Sequence, residues 1–183
     1  TDFILEIAHA LRGATWEHPK GGARFHFSLP GSVQRYQAQE DGRVENTPHP
    51  TVFDQRLLAF NYQLEMKERS ALLTPTFIPP SAIDMPGYGL YASPTLYPGQ
   101  TLRATLLADT KNSGSVAVSL QVQAYGQDDL LFNLYGPRQH VTPGECIELE
   151  WQVPDLGGAP IAQAGIFISS EESAEGVLYL DQL

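Results

Sequence analysis

Cysteine occurs once in the 183 residues, so Cys146 has no partner for an internal disulfide and no companions for a cysteine-based zinc cluster. Basic residues are scarce too: 11 Lys and Arg stand against 21 Asp and Glu, for a formal net charge of -10. A chain so poor in cations excludes DNA and RNA as partners, and argues equally against docking on an anionic membrane. No apolar run approaches the roughly 18 residues of a membrane-spanning helix, and no signal peptide is visible. HExxH and Gly-x-Ser-x-Gly are both missing. The five histidines (His9, His18, His26, His49 and His140) fit no metal-binding spacing. Gly87-Tyr88-Gly89 and Gly157-Gly158 lack the strand–loop–helix context of a phosphate-binding loop. A cytoplasmic setting is the default expectation. A start at Thr1 rather than Met implies a chain that was processed or cut from something longer.

What remains is apolar enough to fold. Hydrophobic residues make up 42% of the chain, which supports one sizeable core. Charge is segregated along the chain. Residues 1–70 are near neutral, with eight Lys/Arg against nine Asp/Glu, whereas residues 71–183 carry three against twelve. At the start, Phe3, Ile4, Ile7, Ala8 and Leu11 form a stripe at helical spacing, predicting one short helix over 3–11 with Gly13 at its end.

From residue 23 the texture is that of strands punctuated by Gly and Pro. Strands are expected over 23–29, 35–39, 57–65, 71–78, 89–93, 101–109, 116–125, 130–135, 146–153, 163–169 and 176–183. Leu58, Phe60, Tyr62 and Leu64 share one face of a strand, as do Val116, Val118, Leu120, Val122 and Ala124. Without long helices between strands, a parallel α/β sheet is excluded, and two stacked antiparallel sheets are the natural arrangement. Tyr97-Pro98-Gly99-Gln100 and Thr142-Pro143-Gly144-Glu145 each set a Pro-Gly turn directly before a strand. Cys146 is expected to be a buried, inert thiol, Trp151 to lie in the core, His26 to be an exposed strand residue, and Ser113 to sit in a hairpin turn.

This order of turns and strands, with "WQVP" at 151–154 and "GVLYLDQL" at 176–183, resembles the galactose-binding-like jelly roll of many carbohydrate-binding modules. In such modules the closing strand often runs small, aromatic, hydrophobic, Asp, x, hydrophobic, as Gly176, Tyr179, Leu180, Asp181 and Leu183 do here. The resemblance implies an all-β, antiparallel two-sheet jelly-roll-like sandwich over 23–183. A narrower resemblance rests on "GGARFHFSLPGSVQRY", "LTPTFIPPSAIDMPGYGLYASPTLYPGQTLRA", "VPDLGGAPIAQAGIFISSE" and "LYLDQL". These stretches are similar to the C-terminal region of certain ADP-ribosylglycohydrolase (ADP-ribosylation/crystallin J1) proteins, in which an all-α catalytic domain can carry a β-sandwich. Residues 1–22 then read as the last helix and linker of that domain, and the partner is the chain's own catalytic domain. The family's magnesium-binding Gly-Asp-x-Asp-Thr motif is absent here, so no catalytic residue carries over and this chain is not expected to be the hydrolytic region.

The remaining candidates are for binding. Sugar modules stack pyranose faces on exposed Trp or Tyr, and Trp16, Tyr36, Tyr88, Tyr91, Tyr97, Tyr125 and Tyr135 are loop or strand-end aromatics. Tyr88, Tyr91, Tyr97 and Tyr125, with Arg103, are the expected glycan-binding set, and the shaped loop 83–91 is the leading surface. Asp128-Asp129 between two strands, and Asp181 by the jelly-roll resemblance, are candidates for a structural calcium, which takes six to eight oxygens. Two functional classes follow. A glycan-binding accessory module requires two or more aromatics exposed together with convergent polar groups. A structural domain that packs on the catalytic domain requires instead a large apolar patch, expected near residues 1–20. With so few cations in the sandwich, negligible affinity for ADP-ribose is expected of the isolated chain.

Overall fold

A computed structural model describes residues 14–16, 23–25, 37–38, 42–50, 56–74, 96–127 and 130–183. The helix expected over 3–11, the loop 83–91, His26 and Asp128-Asp129 lie outside these residues. Among the described residues there are thirteen strands and no α-helix.

The two large sheets follow from apolar alternation. One sheet runs, strand by strand, through β11 (Cys146–Gln152), β7 (Thr101–Ala108), β13 (Ala174–Gln182), β5 (Arg56–Leu64) and β4 (Arg43–Pro48). The other runs through β10 (Gln139–Val141), β8 (Val116–Tyr125), β12 (Ile161–Ser169), β6 (Arg69–Leu73) and β3 (Gln37–Ala38), with β9 (Leu131–Tyr135) also on β8. Every pairing is antiparallel. Leu58, Phe60, Tyr62 and Leu64 of β5 meet Val116, Val118, Leu120 and Val122 of β8 in one core cluster, so both alternating faces read from sequence point inward. This is the expected all-β, two-sheet antiparallel sandwich. A separate ribbon pairs β1 (Ala14–Trp16) with β2 (Ala23–Phe25), which crosses the expected boundary at residue 22.

Both Pro-Gly turns form as the sequence requires. Gly99 and Gly144 adopt φ of 85° and 81°, the left-handed region that Gly enters without a Cβ clash. In each, the residue before Pro receives the same clip. The Tyr97 amide donates to Gln100 Oε1 at 2.8 Å, and the Thr142 amide donates to Glu145 Oε2 at 2.8 Å. The turns close opposite ends of one ladder. Gly99 N donates to Val153 O beyond β11, and Gly144 N donates to Ala108 O at the end of β7.

Three residues depart from expectation. Ser113 does not turn a hairpin, because β7 and β8 belong to different sheets; its segment arches between them and its hydroxyl bonds the Glu175 backbone on β13. Cys146 is exposed. Ile147 and Leu149 face the core, so strand parity turns Cys146, Glu148 and Glu150 outward. Trp151 is half-buried, packed against the core's margin rather than inside it.

Candidate functional site

The strand β8 is buried along its whole length, on both faces. Its valines and Leu120 fill the core, while Ser119, Gln121 and Gln123 point the other way. The strand register extends this second face across the sheet. Gln121 stands between Tyr135 of β9 and Gly165 of β12, and Gln123 between Asn133 and Gln163. The result is a row of amides running inward from an exposed edge. Asn133 and Tyr135 are exposed, Tyr135 by 46%, whereas Gln121 keeps only 1% of its surface.

Hydrogen bonds fix the amides. Nε2 of Gln121 and Nε2 of Gln123 both donate to Asn133 Oδ1, at 2.9 and 3.2 Å. Deeper in, Gln163 Nε2 donates to the Thr74 carbonyl at 2.7 Å. Gln121 Oε1 is buried with no hydrogen-bond partner. Such orphans are few in folded proteins.

Aromatic surface lies beside this row. The Tyr135 ring crosses β8 to meet Phe167 of β12, centroids 4.5 Å apart at 51°. Small residues make room for it, since Ser119 lies opposite Phe167 and Gly165 lies opposite Gln121. Phe167 in turn packs with Ala71 and Leu73 of β6 in an apolar cluster separate from the main core. In residues 71–73, 119–123, 133–135 and 163–167 there is no charged side chain. This face therefore offers amide donors and acceptors and an aromatic ring, the chemistry for neutral hydroxyl-rich ligands, and those stretches of the described residues hold no acid or base for proton transfer.

The sequence-derived candidates scatter around this face. Tyr88, Tyr91, Asp128 and Asp129 are outside the described residues. Tyr97 is half exposed, on the turn before β7. Tyr125 ends β8 but turns into the core, 4% exposed, so its ring is not presented to solvent. Arg103 projects from β7 of the five-stranded sheet and pairs with Glu150 at 2.8 Å. Asp181 is half-buried at a bulge in β13, where Leu180 and Gln182 face consecutive residues of β7. Among the described residues no three His, Cys, Asp or Glu come together in a way that could hold a metal ion. Gln121, Gln123, Gln163 and Asn133 are not among the residues that sequence reasoning singles out. Their signal is nevertheless present in the sequence: the polar positions of the strongly apolar strands β8 and β12 are amides or serine hydroxyls, never charges.

The fold is of the antiparallel two-sheet β-sandwich class, which solved carbohydrate-binding modules also have. Solved structures of that class share the fold. A carbohydrate-binding module described for the promiscuous specificity of the β-sandwich superfamily superposes with a TM-score of 0.61 at 15% identity, over 84% of this chain and 58% of that one. The CBM22-1 xylan-binding domain of Paenibacillus barcinonensis Xyn10C gives 0.59 at 10% identity, over 86% and 88%. The mannan-recognising module TmCBM27 gives 0.51 at 11% identity, over 87% and 92%. No protein-family model and no curated protein matches the chain. These comparisons lend no support to the ADP-ribosylglycohydrolase resemblance.

Proposed function

We propose that this chain is a non-catalytic carbohydrate-binding accessory module. Its ligand is a neutral glycan chain lying at the β9 edge of the six-stranded sheet. The observation that carries this reading is the charge-free amide row, ending where the exposed Tyr135 leans on Phe167. Tyr135 supplies a ring for an apolar pyranose face, and Asn133 supplies an amide already braced by two glutamines. The named ligands of the structural neighbours, xylan and mannan, support it, as does a neighbour that joins such a module to a GH10 domain in a xylanase. Attachment to an ADP-ribosylglycohydrolase-type domain rests on the sequence resemblance alone.

Titration calorimetry against xylohexaose, mannohexaose and a wider panel of neutral oligosaccharides tests the reading. At least one ligand should bind, and Tyr135→Ala should weaken it about tenfold or more, the cost of losing a central aromatic contact. Asn133→Ala should also weaken it. Binding that survives both substitutions removes the amide row from the function.

A second reading has its own observation. Leu130, just before β9, and Leu131 and Phe132 on it are exposed by 70, 47 and 37%, and among the described residues no strand pairs with the outer edge of β9. That apolar edge suits packing against a neighbouring domain. Failure of every glycan in the panel would favour it.

A further inference from the structure

A second site lies on the same margin of the sheet as β9 but on its inner side, between β10 and β11. It begins with a register break. Tyr135 faces Gln121, but Gln139 faces Val118, so Gly136, Pro137 and Arg138 together oppose only Ser119 and Leu120. The extra residue is a β-bulge, and Pro137 has no amide to close the ladder. The bulge reverses strand parity. Gln139 now shares the side of Val118, toward the space between the sheets, and Arg138 comes to the rim.

The opened space is a cleft of about 190 Å³. Leu120 and Leu149 form its apolar floor, and Trp151 and Pro137 border it. Gly136 is what lets the indole lie there, since a Cβ on Gly136 would stand 2.8 Å from Trp151 Cγ. Arg138 and Gln139 supply the polar side chains, while the Glu150 carboxylate turns to the outer face of β11. Arg138 makes no ion pair or side-chain hydrogen bond among the described residues, whereas the charge of Glu150 is taken up by Arg103. Residues 71–183 contain only three cations, and Arg138 is the one that lines this cleft.

We propose that this cleft binds a single acidic sugar ring, a uronate, independently of the neutral glycan on the amide row. The cleft is smaller than the roughly 300–1,000 Å³ that takes a drug-sized ligand, so it suits one ring. The indole accepts the apolar ring face, and the unpaired guanidinium grips a planar carboxylate with two parallel N–H donors. Gln139 meets ring hydroxyls.

Nuclear magnetic resonance of the intact chain tests this through the Trp151 indole N–H, assigned by its loss in Trp151→Phe. Methyl β-glucuronoside should shift that resonance in a saturable way, and neutral methyl β-glucoside should bind about tenfold more weakly or worse. Arg138→Gln, at an exposed position where folding is undisturbed, should abolish the difference between the two sugars. Tyr135→Ala should leave the uronate affinity unchanged, which separates this site from the amide row whether or not that row binds glycan. Equal affinities for the two sugars, uronate binding untouched by Arg138→Gln, loss of it in Tyr135→Ala, or saturation by inorganic phosphate at equal concentration would each overturn the proposal.

Discussion

Tyr62 shows how much one polar atom can matter in a β-sandwich core. Its ring is buried among Leu58, Phe60 and Leu64, and its hydroxyl has no hydrogen-bond partner. A buried, unpaired hydroxyl costs about 1–3 kcal/mol relative to one that is satisfied. Tyr62→Phe removes that atom while keeping the ring, so it should stabilise the fold by about 1 kcal/mol. Urea unfolding at neutral pH measures this, and a variant less stable than the parent contradicts it. Residue-level legibility divides along similar lines. Alternation locates Tyr62 correctly, because its neighbours two positions away are all apolar. The same rule misleads at Cys146 when it is grouped with Ile147, because adjacent strand residues face opposite ways. Tyr125 cannot be placed at all by alternation. A bulge between Ile161 and Gln163 on the neighbouring strand disturbs the register where β8 ends.

At the scale of elements, strands and turns are legible wherever local chemistry forces them. Val116–Tyr125 matches because alternating apolar residues leave no other period, and both Pro-Gly turns match because only Gly tolerates their φ. The strands that escape sequence reading are edges. Arg43–Pro48 and Gln139–Val141 carry Arg, Glu, Asn, Gln and His, and are strands only because β5 and β8 offer them hydrogen bonds. Two glycines separate local from tertiary demands. At Gly99 a Cβ would meet nothing within 4 Å, so Gly99→Ala costs only backbone strain, about 1 kcal/mol. At Gly165 a Cβ would fall 1.9 Å from the Leu72 carbonyl oxygen, inside the β6–β12 ladder. Gly165→Ala must therefore push β6 and β12 apart, and should cost about 3 kcal/mol or prevent folding. Thermal melts of the two variants side by side decide this. Equal losses would mean that the sheet yields at Gly165.

For the molecule as a whole, the fold is more legible than the site, and the reason is physical. A core announces itself through apolar periodicity, whereas the amide row is assembled from β8, β9 and β12, whose residues converge only through register. The same scale governs the response to pH. Burial pushes the Tyr62 phenol up to about 12. Tyr179 also rises to about 12, through burial first and then its hydrogen bond to Asp109 at 2.7 Å. Below the ordinary value near 10 both rings are neutral in the folded and unfolded chain alike, so their contribution is fully present. Between about pH 10 and 12 the unfolded chain ionises them while the folded chain resists, and stability falls. The acidic side has the opposite sign. Hydrogen bonds from the Tyr179 hydroxyl and the Lys111 amide hold Asp109 below the usual carboxylate range, so its contribution is present at neutral pH and lost as pH falls through that lowered value. A net charge of -10, growing more negative as tyrosines ionise, adds self-repulsion to the alkaline loss. Urea midpoints should therefore drop steeply from about pH 9 to about pH 11.5. Tyr62→Phe should flatten that drop, because its unfolded chain has one fewer phenol to ionise. An unchanged alkaline slope in Tyr62→Phe would place the loss in Tyr179 and in charge repulsion instead.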